Sequence, residues 1–236
     1  MRKLVIWIFV AYIAFLHVFS AIALQRTDLV ERALVRFGFA DAPEQPIINN
    51  LRAVHRQMDS SIPSGATLFL GDSITMALAT AAIVPMSVNY GIGWQRSDQL
   101  TESLPIYRSI ERASGVVVMI GTNDILQNRV EGIGARYAEI LQKIPPNLPI
   151  VLISPPPMSR TTFGGQAIDP RASGAVRDLA FEACAAVSRC TFVDATSALS
   201  DGEDPLNGVL VADGIHLSPL GYQILIPLIS AALQKD

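Results

Sequence analysis

The sequence has few charged residues, and its charge balance is slightly acidic. Only 17% of its 236 residues are charged, and 18 lysines and arginines stand against 21 aspartates and glutamates, for a formal net charge of −3. A nucleic-acid-binding protein normally has a basic face and a high isoelectric point, so this balance argues against such a partner. The chain also has only three histidines and two cysteines, without a Cys/His cluster, which argues against a structural zinc site.

The two cysteines, Cys184 and Cys190, lie between a predicted helix and a predicted strand. An oxidising compartment outside the cytoplasm would permit a disulfide between them. Because they do not form a Cys-x-x-Cys pattern, two buried free thiols are an equally good interpretation. The sequence leaves this choice open.

The hydrophobic residues, which make up half of the chain, are concentrated at the N-terminus. Residues 4–24 include no charged side chain, and only His17 and Ser20 interrupt the aliphatic and aromatic run. As a helix this run would be about 31 Å long, close to the roughly 30 Å of a bilayer's hydrocarbon core. We therefore expect residues 1–24 to form a transmembrane signal anchor. A cleaved signal peptide and a buried core helix are the alternatives.

The first two interpretations place the rest of the chain outside the cytoplasm. An anchored protein would cross the cytoplasmic membrane once and present its domain on the periplasmic side, whereas a cleaved one would be secreted. Arg2 and Lys3 favour an N-terminus inside the cell, although Arg26, Arg32 and Arg36 weaken this positive-inside signal.

The remainder of the chain is predicted to form a linker and one α/β domain. Residues 25–65 read as a helical juxtamembrane linker, with helices over 25–39 and 47–58. From residue 66 onward, short apolar runs alternate with segments of helical period, as in parallel strands covered on both faces. We expect a three-layer sandwich over 66–236, with a central five-stranded parallel sheet. The predicted strands are 67–70, 86–90, 115–120, 149–154 and 191–193, and the predicted helices are 73–82, 97–113, 130–143, 171–188 and 219–234.

The first predicted strand runs into the sequence Gly71-Asp72-Ser73, directly before a predicted helix. In parallel sheets, ligand-binding and catalytic residues lie at the carboxyl ends of the strands. The Ser73 hydroxyl would also lie at a helix N-terminus, whose free N–H groups and dipole favour developing negative charge. Ser73 is therefore a candidate nucleophile, and a simple helix N-cap is the alternative.

A serine nucleophile needs a base, and histidine is the usual one. His17 lies in the apolar segment and His55 precedes the predicted domain, whereas His216 follows Asp213 in a glycine-containing loop. Such a loop lets the carboxylate hold one ring nitrogen while the other faces the serine, as a catalytic triad requires. A surface turn is the alternative interpretation of this Asp-x-x-His sequence.

Two more glycine-containing turns follow predicted strands at the same edge. Asn123, in the sequence Gly-Thr-Asn-Asp, could donate its amide hydrogens to an oxyanion, or it could close an Asx turn. The turn at 89–94 carries backbone N–H groups that could serve the same oxyanion.

Together these segments resemble the blocks of the SGNH (GDSL-type) hydrolase family, in the same order. The resemblance covers about residue 66 to the C-terminus. It implies a flavodoxin-like fold, a serine esterase and no metal or organic cofactor. The roles it implies are Ser73 as nucleophile, His216 as general base, Asp213 as its orienting partner, and an oxyanion hole of Ser73, Gly93 or Trp94, and Asn123.

The second block departs from the family pattern at Trp94, where the family usually has a glycine whose N–H binds the oxyanion. Every residue except proline retains a backbone N–H, so Gly93 or Trp94 can still be the donor. The indole would favour a small acyl group or provide an aromatic platform for a sugar ring. Packing of Trp94 back onto the domain is the alternative.

The segment 154–174 is long and shows little helical or strand period before Arg171. Loops of this length in compact domains are often functional lids. Arg160, Phe163 and Gln166 are therefore candidate substrate contacts.

These observations and the resemblance predict an exported, membrane-tethered serine esterase. We expect it to hydrolyse short-chain acyl esters, with O-acetyl groups on cell-envelope or exported polysaccharide favoured as the substrate. Lysophospholipids and thioesters are alternative substrates. An O-acyltransferase and a catalytically idle subunit of an envelope complex are alternative functions.

Overall fold

The computed structural model describes residues 2–25, 46–163 and 166–234. The chain divides into two compact units, residues 1–44 and 45–236. In the first unit, helix α1 spans Arg2–Gln25, and its described side chains, at residues 5–20, are exposed.

Within the part of the chain that the structure describes, no helix is both long and apolar enough to cross a membrane. The membrane-spanning anchor expected for residues 1–24 is therefore not supported. Apart from Gln25, the helix predicted over 25–39 lies outside the described residues.

The second unit is built on a central sheet of five parallel strands. The strands of this sheet are β1 (Thr67–Gly71), β2 (Ser87–Gly91), β3 (Gly115–Met119), β4 (Ile150–Ile153) and β7 (Cys190–Val193). Two short antiparallel pairs consist of β5 (Thr161–Phe163) with β6 (Gln166–Ile168) and β8 (Ser200–Asp201) with β9 (Asp204–Pro205). The helices are α2 (Pro46–Asp59), α3 (Ser73–Met76), α4 (Ser97–Ser103), α5 (Thr122–Leu126), α6 (Ile133–Lys143), α7 (Ala172–Ala185), α8 (Ala195–Ala198) and α9 (Pro219–Leu233).

The strand order in the sheet is β2-β1-β3-β4-β7. The five expected strands all occur, and the predicted α/β architecture with a central five-stranded parallel sheet is confirmed. The chain moves from β1 outward to β2 and then returns to the other side of β1 as β3. Such a reversal leaves a crevice at the carboxyl ends of the strands, where open α/β sheets bind their ligands.

The sheet separates two apolar cores because successive side chains of a strand point to opposite faces. Leu68 and Val118 belong to one core, which also contains Tyr137 of α6. Phe69 and Val117 belong to the other, which also contains residues of α9. Both faces of the inner strands are therefore covered, which explains why β1, β3 and β4 are buried at every position, whereas Ser87 and Asn89 of the edge strand β2 are half-buried.

The helices that follow β1 and β2 are shorter than expected. The predicted helix over 73–82 is only α3, with a separate 3₁₀ turn at Thr80–Ala82. The predicted helix over 97–113 ends as α4 at Ser103 and continues as two 3₁₀ segments, Leu104–Ile106 and Arg108–Arg112. Pro105 lacks the N–H that would continue the α-helical hydrogen bonds, which accounts for the end of α4 at Ser103.

Helix α2, in the second half of the predicted linker, packs on the domain. Its Ile48 is fully buried. At its C-terminal end, the carboxylate of Asp59 accepts hydrogen bonds from the Tyr90 hydroxyl (2.8 Å) and the Ser109 backbone N–H (3.0 Å). The buried His55 ring lies against the rings of Tyr90 and Tyr107.

A disulfide joins Cys184 in α7 to Cys190 at the start of β7. The sequence left a disulfide and two free thiols as alternatives for these cysteines, and the structure contains the disulfide. It closes a short loop between an outer helix and the edge strand of the sheet.

We expect the Cys184→Ala, Cys190→Ala double variant to be about 2 kcal/mol less stable than the wild type, because the bridge restricts the unfolded chain. For a domain of this size, that difference corresponds to a fall in Tm of roughly 4–8 °C, measured by thermal unfolding under oxidising conditions. A reducing agent should lower the Tm of the wild type by a similar amount and leave the double variant unchanged. A wild-type Tm that does not respond to the reductant would contradict the bridge.

Candidate active site

Ser73 lies where β1 ends at the carboxyl edge of the sheet. The N-cap of α3 is Asp72, whose side chain accepts a hydrogen bond of 2.9 Å from the backbone N–H of Ile74. Ser73 is the first residue of that helix and does not cap it. The Ser73 hydroxyl is therefore available for other contacts.

The structure brings Ser73, His216 and Asp213 together. Ser73 Oγ lies 2.9 Å from His216 Nε2, across a separation of 143 residues in sequence. His216 Nδ1 lies 2.7 Å from Asp213 Oδ2. In this arrangement a neutral imidazole can donate from Nδ1 to the carboxylate and accept from the serine hydroxyl at Nε2.

The other oxygen of Asp213, Oδ1, accepts hydrogen bonds from the backbone N–H groups of Ile215 (2.8 Å) and His216 (2.9 Å). Partial burial alone would raise the pKa of Asp213, but its hydrogen bonds with the His216 ring and these N–H groups outweigh it and lower that pKa below its usual value. The carboxylate therefore stays ionised and holds the ring orientation.

The loop that carries His216 is fixed on several sides. The His216 carbonyl accepts a hydrogen bond from Val211 N–H (2.9 Å), and the Gly214 carbonyl accepts one from Ser159 N–H (2.9 Å). Gly214 has a φ of 72°, a left-handed conformation that glycine adopts without strain. Ser218 then caps α9 by accepting from Gly221 N–H.

The turn after β2 passes beside Ser73. A Cβ atom built on Gly93 would lie 4.0 Å from the Ser73 Cβ. Trp94 has a φ of 71°, in the left-handed region that non-glycine residues rarely occupy. This conformation explains why the resemblance places a glycine there. The Trp94 side chain is 39% exposed.

Asn123 lies in the first turn of α5 and is buried. Its Nδ2 donates a hydrogen bond of 3.1 Å to the carbonyl of Gln95, the residue that follows Trp94. The side-chain amide has a second hydrogen that this bond does not use. Asn123 thereby joins the turns after β2 and β3.

Sequence reasoning missed two polar clamps around these turns. The Asn89 amide donates to the carbonyls of Thr75 (2.7 Å) and Leu78 (3.1 Å), and its oxygen accepts from Gly91 N–H (2.9 Å). Asn89 therefore attaches the end of α3 to β2. Its occurrence in the second block of the family resemblance was the available signal.

The second clamp is Asp124, which lies next to Asn123 and is buried. Its carboxylate accepts hydrogen bonds from the backbone N–H (2.9 Å) and hydroxyl (2.6 Å) of Ser97 and lies 3.4 Å from Arg136. Burial raises the pKa of Asp124, although the Ser97 hydrogen bonds and the Arg136 charge act in the opposite direction. Its place beside Asn123 in the Gly-Thr-Asn-Asp sequence was the available signal.

The candidate substrate contacts in 154–174 are not brought to Ser73 by any described interaction. Arg160 is exposed and makes no hydrogen bond with another described residue. The backbone of Phe163 and Gln166 is in the hairpin β5–β6, which the sequence did not predict, and their side chains lie outside the described part of the chain. Contacts of these three residues with substrate stay predictions.

Asp72 has an environment opposite to that of Asp213. It is 1% exposed, and its Oδ2 has no hydrogen-bond partner among the described residues. Burial raises the pKa of Asp72 from 3.8 to about 7. Below that pH the carboxyl next to Ser73 is mostly neutral.

This raised pKa predicts a dependence of stability on pH. The folded protein favours the protonated Asp72, so this contribution to stability is complete below pH 3.8 and is lost as the pH rises to about 7. The Asp72→Asn variant keeps the capping oxygen and never ionises. We expect its stability relative to the wild type to increase as the pH rises from 3.8 to about 7, and the difference to stay constant at higher pH. Denaturant unfolding at a series of pH values measures the difference.

Asp213→Asn provides a control of opposite sign. Because the pKa of Asp213 is lowered in the folded protein, its carboxylate stabilises the fold at pH values above the ordinary pKa of an aspartate. This contribution is lost as the pH falls through the lowered pKa. The stability that Asp213→Asn loses relative to the wild type should therefore become smaller at acidic pH. A stability difference for Asp72→Asn that does not vary between pH 4 and 7 would show that Asp72 is not buried as described.

Residues 69–224 match the GDSL-like Lipase/Acylhydrolase family. The matched stretch contains Ser73, Asn123, Asp213 and His216. No curated protein matches the chain.

Several solved structures share the fold. One from Streptococcus pneumonia, described as a platelet activating factor, has 23% sequence identity and a TM-score of 0.72, over 90% of this chain and 99% of that one. A lipase/acylhydrolase from Enterococcus faecalis has 22% identity and a TM-score of 0.61, over 72% and 96%. A catalytic mutant of Axe2, an acetylxylan esterase from Geobacillus stearothermophilus, has 18% identity and a TM-score of 0.58, over 72% and 95%.

At these identities the solved structures establish the fold alone, whereas the family match covers more than half of the residues. The chain therefore belongs to the GDSL-like lipase/acylhydrolase family of ester-bond hydrolases.

Proposed function

We propose that the protein hydrolyses short-chain acyl esters through a covalent acyl-enzyme. The observation that carries this proposal is the continuous hydrogen-bonded series from Ser73 Oγ to His216 Nε2 (2.9 Å) and from His216 Nδ1 to Asp213 Oδ2 (2.7 Å). It has the order of nucleophile, base and orienting acid that serine hydrolases use on unrelated folds.

In the first half of the reaction, Ser73 Oγ attacks the ester carbonyl and His216 Nε2 takes the hydroxyl proton. Collapse of the tetrahedral intermediate breaks the carbon–oxygen bond of the ester, and His216 gives its proton to the departing alcohol. The products are an acyl group on Ser73 and a free alcohol. Asp213 stabilises the imidazolium that forms between these steps.

In the second half, His216 takes a proton from water, which attacks the acyl carbonyl. The second tetrahedral intermediate then releases the carboxylic acid as the proton returns to Ser73 Oγ. Each proton passes through His216 Nε2, so the reaction needs no other acid or base.

The negative charge of each intermediate would be stabilised by three donors. The Ser73 N–H is at the N-terminus of α3, and the 93–94 turn adds a backbone N–H next to it. Asn123 contributes the amide hydrogen that it does not use to bind Gln95. Removing one such donor typically slows an acyl transfer by about 10²- to 10³-fold.

The proposed substrate is an O-acetyl ester of a carbohydrate. The exposed indole of Trp94 follows the turn beside Ser73, where an aromatic surface suits the apolar face of a sugar ring. An acetylxylan esterase is among the solved structures that share the fold. Both observations favour a short acyl group on a polysaccharide over a long-chain lipid.

We also infer that the domain works outside the cytoplasm. The Cys184–Cys190 disulfide supports this location, because such bridges form and persist in oxidising compartments. A cleaved signal peptide at the N-terminus would deliver the domain there.

The role of Ser73 is tested by hydrolysis of a nitrophenyl acetate. We expect Ser73→Ala to lower kcat by at least about 10⁴-fold, since loss of the nucleophile removes the covalent route. Ser60→Ala, which changes an exposed serine before β1, is the matched control and should keep the wild-type rate. Equal rates for the wild type and Ser73→Ala would refute the proposed mechanism.

The role of Trp94 is tested by acyl length. Trp94→Gly keeps the backbone N–H and the left-handed conformation but removes the indole, so we expect kcat/KM for a hexanoyl ester relative to an acetyl ester to rise about tenfold. Trp94→Phe retains an aromatic ring and should stay near the wild-type ratio. If Trp94→Gly leaves the ratio unchanged, the indole does not limit the acyl pocket.

A further inference from the structure

A second cleft lies between α2, the 60–64 segment before β1, and the 102–112 segment before β3. Its volume is about 1210 Å³. Parallel strands share one direction, so residues that precede β1 and β3 lie at the amino edge of the sheet. Ser73 is at the opposite edge, roughly 15 Å away along a five-residue strand. An occupant of this cleft would not touch the proposed catalytic residues.

Four of the six charged residues that line this cleft are arginines, although the chain as a whole is acidic. The four are Arg52, Arg56, Arg108 and Arg112.

Two carboxylates also line the cleft, and neither forms an ion pair with Arg56, Arg108 or Arg112. Asp59 is 3% exposed, and its oxygens are directed to Tyr90 and Ser109 in the domain interior. Glu102 lies 3.3 Å from Arg52 alone, with 59% of its side chain exposed. The other three arginines form no ion pair with any described residue.

Two of the guanidinium groups are held in place by the fold. Arg112 donates to the carbonyls of Ile62 (2.9 Å) and Asp59 (3.1 Å). Arg52 donates to the Ser103 hydroxyl (2.8 Å) and the Gln99 carbonyl (2.7 Å). A fixed guanidinium loses little conformational freedom when it binds a ligand.

The other two arginines are free to complete a site. Arg56 and Arg108 are exposed and make no hydrogen bond or ion pair within the described parts of the chain. They extend from α2 and from the 3₁₀ segment Arg108–Arg112, which form two sides of the cleft. A ligand between them would meet positive charge from both sides.

We propose that this cleft is a second binding site, specific for a phosphate-bearing ligand. The planar fork of arginine matches the oxygens of phosphate and can bind two of them at once. The cleft is much larger than a phosphate ion, so it leaves space for the rest of a phosphorylated molecule or a lipid headgroup.

The test uses the full chain in a non-ionic detergent and titration calorimetry with inorganic phosphate at low salt. We expect saturable binding that weakens as salt is added. Arg56→Gln with Arg108→Gln should weaken it at least about tenfold, because two charge-assisted hydrogen-bond donors are lost. Arg129→Gln removes one exposed arginine outside the cleft and is the matched control, which should bind like the wild type.

A parallel titration with sn-glycerol 3-phosphate separates the two sources of phosphate. Binding at least about tenfold tighter than that of inorganic phosphate, through the same arginines, would identify a lipid headgroup or similar phosphoester. Equal binding would identify free phosphate. Hydrolysis of nitrophenyl acetate should be unchanged in the double variant, which shows that it is folded. The proposal is overturned if the wild type binds neither compound, or if the double variant binds both as tightly.

Discussion

Both faces of the central sheet are covered by apolar cores, and the location of the site depends on this constraint. Side chains along β1 and β3 alternate between the two cores, where an unpaired polar group would be costly. Polar groups can therefore gather only where the strands end. The order β2-β1-β3 then brings the turns after these three strands side by side. His216 reaches the same place from the loop before α9.

The turns fit together because glycines allow their backbones to approach. A Cβ on Gly91 would overlap the backbone of Met76, and a Cβ on Gly71 would overlap the carbonyl of Met119. The Gly91 contact places the end of α3 directly against β2, where Asn89 donates to the carbonyls of Thr75 and Leu78. The position of Ser73 is therefore determined on both sides, by its own strand and by the neighbouring one.

The parts of the fold that follow from continuous apolar runs could be predicted from the sequence. The inner strands β1, β3 and β4 are of this kind. The Asp213–His216 pair could be recognised because histidine is scarce. Features that depend on tertiary contacts could not be predicted. The left-handed backbone of Trp94 is one example, since its residue type favours a different conformation.

Other features could not be predicted because their strands are short or because their residues lie far apart in the sequence. The β5–β6 hairpin has strands of three residues, too short for a period of two to be recognised. The arginine cleft joins residues of α2 to residues about fifty positions later, so only the folded chain shows them as one group. The apolar N-terminal run predicted a membrane span, which the described helices do not support.

The two carboxyl groups nearest to Ser73 in the site differ in charge because their surroundings differ. Asp213 accepts several hydrogen bonds and stays ionised, which suits its proposed role of stabilising an imidazolium. Burial raises the pKa of Asp72 to about 7, so in mildly acidic conditions it caps α3 without a full negative charge. An ionised Asp72 would oppose the negative charge that the proposed mechanism places on an oxyanion beside the same helix end. For the proposed mechanism, burial of Asp72 thus keeps the N-terminus of α3 favourable for the oxyanion, and the ionised carboxylate of Asp213 lies on the far side of His216.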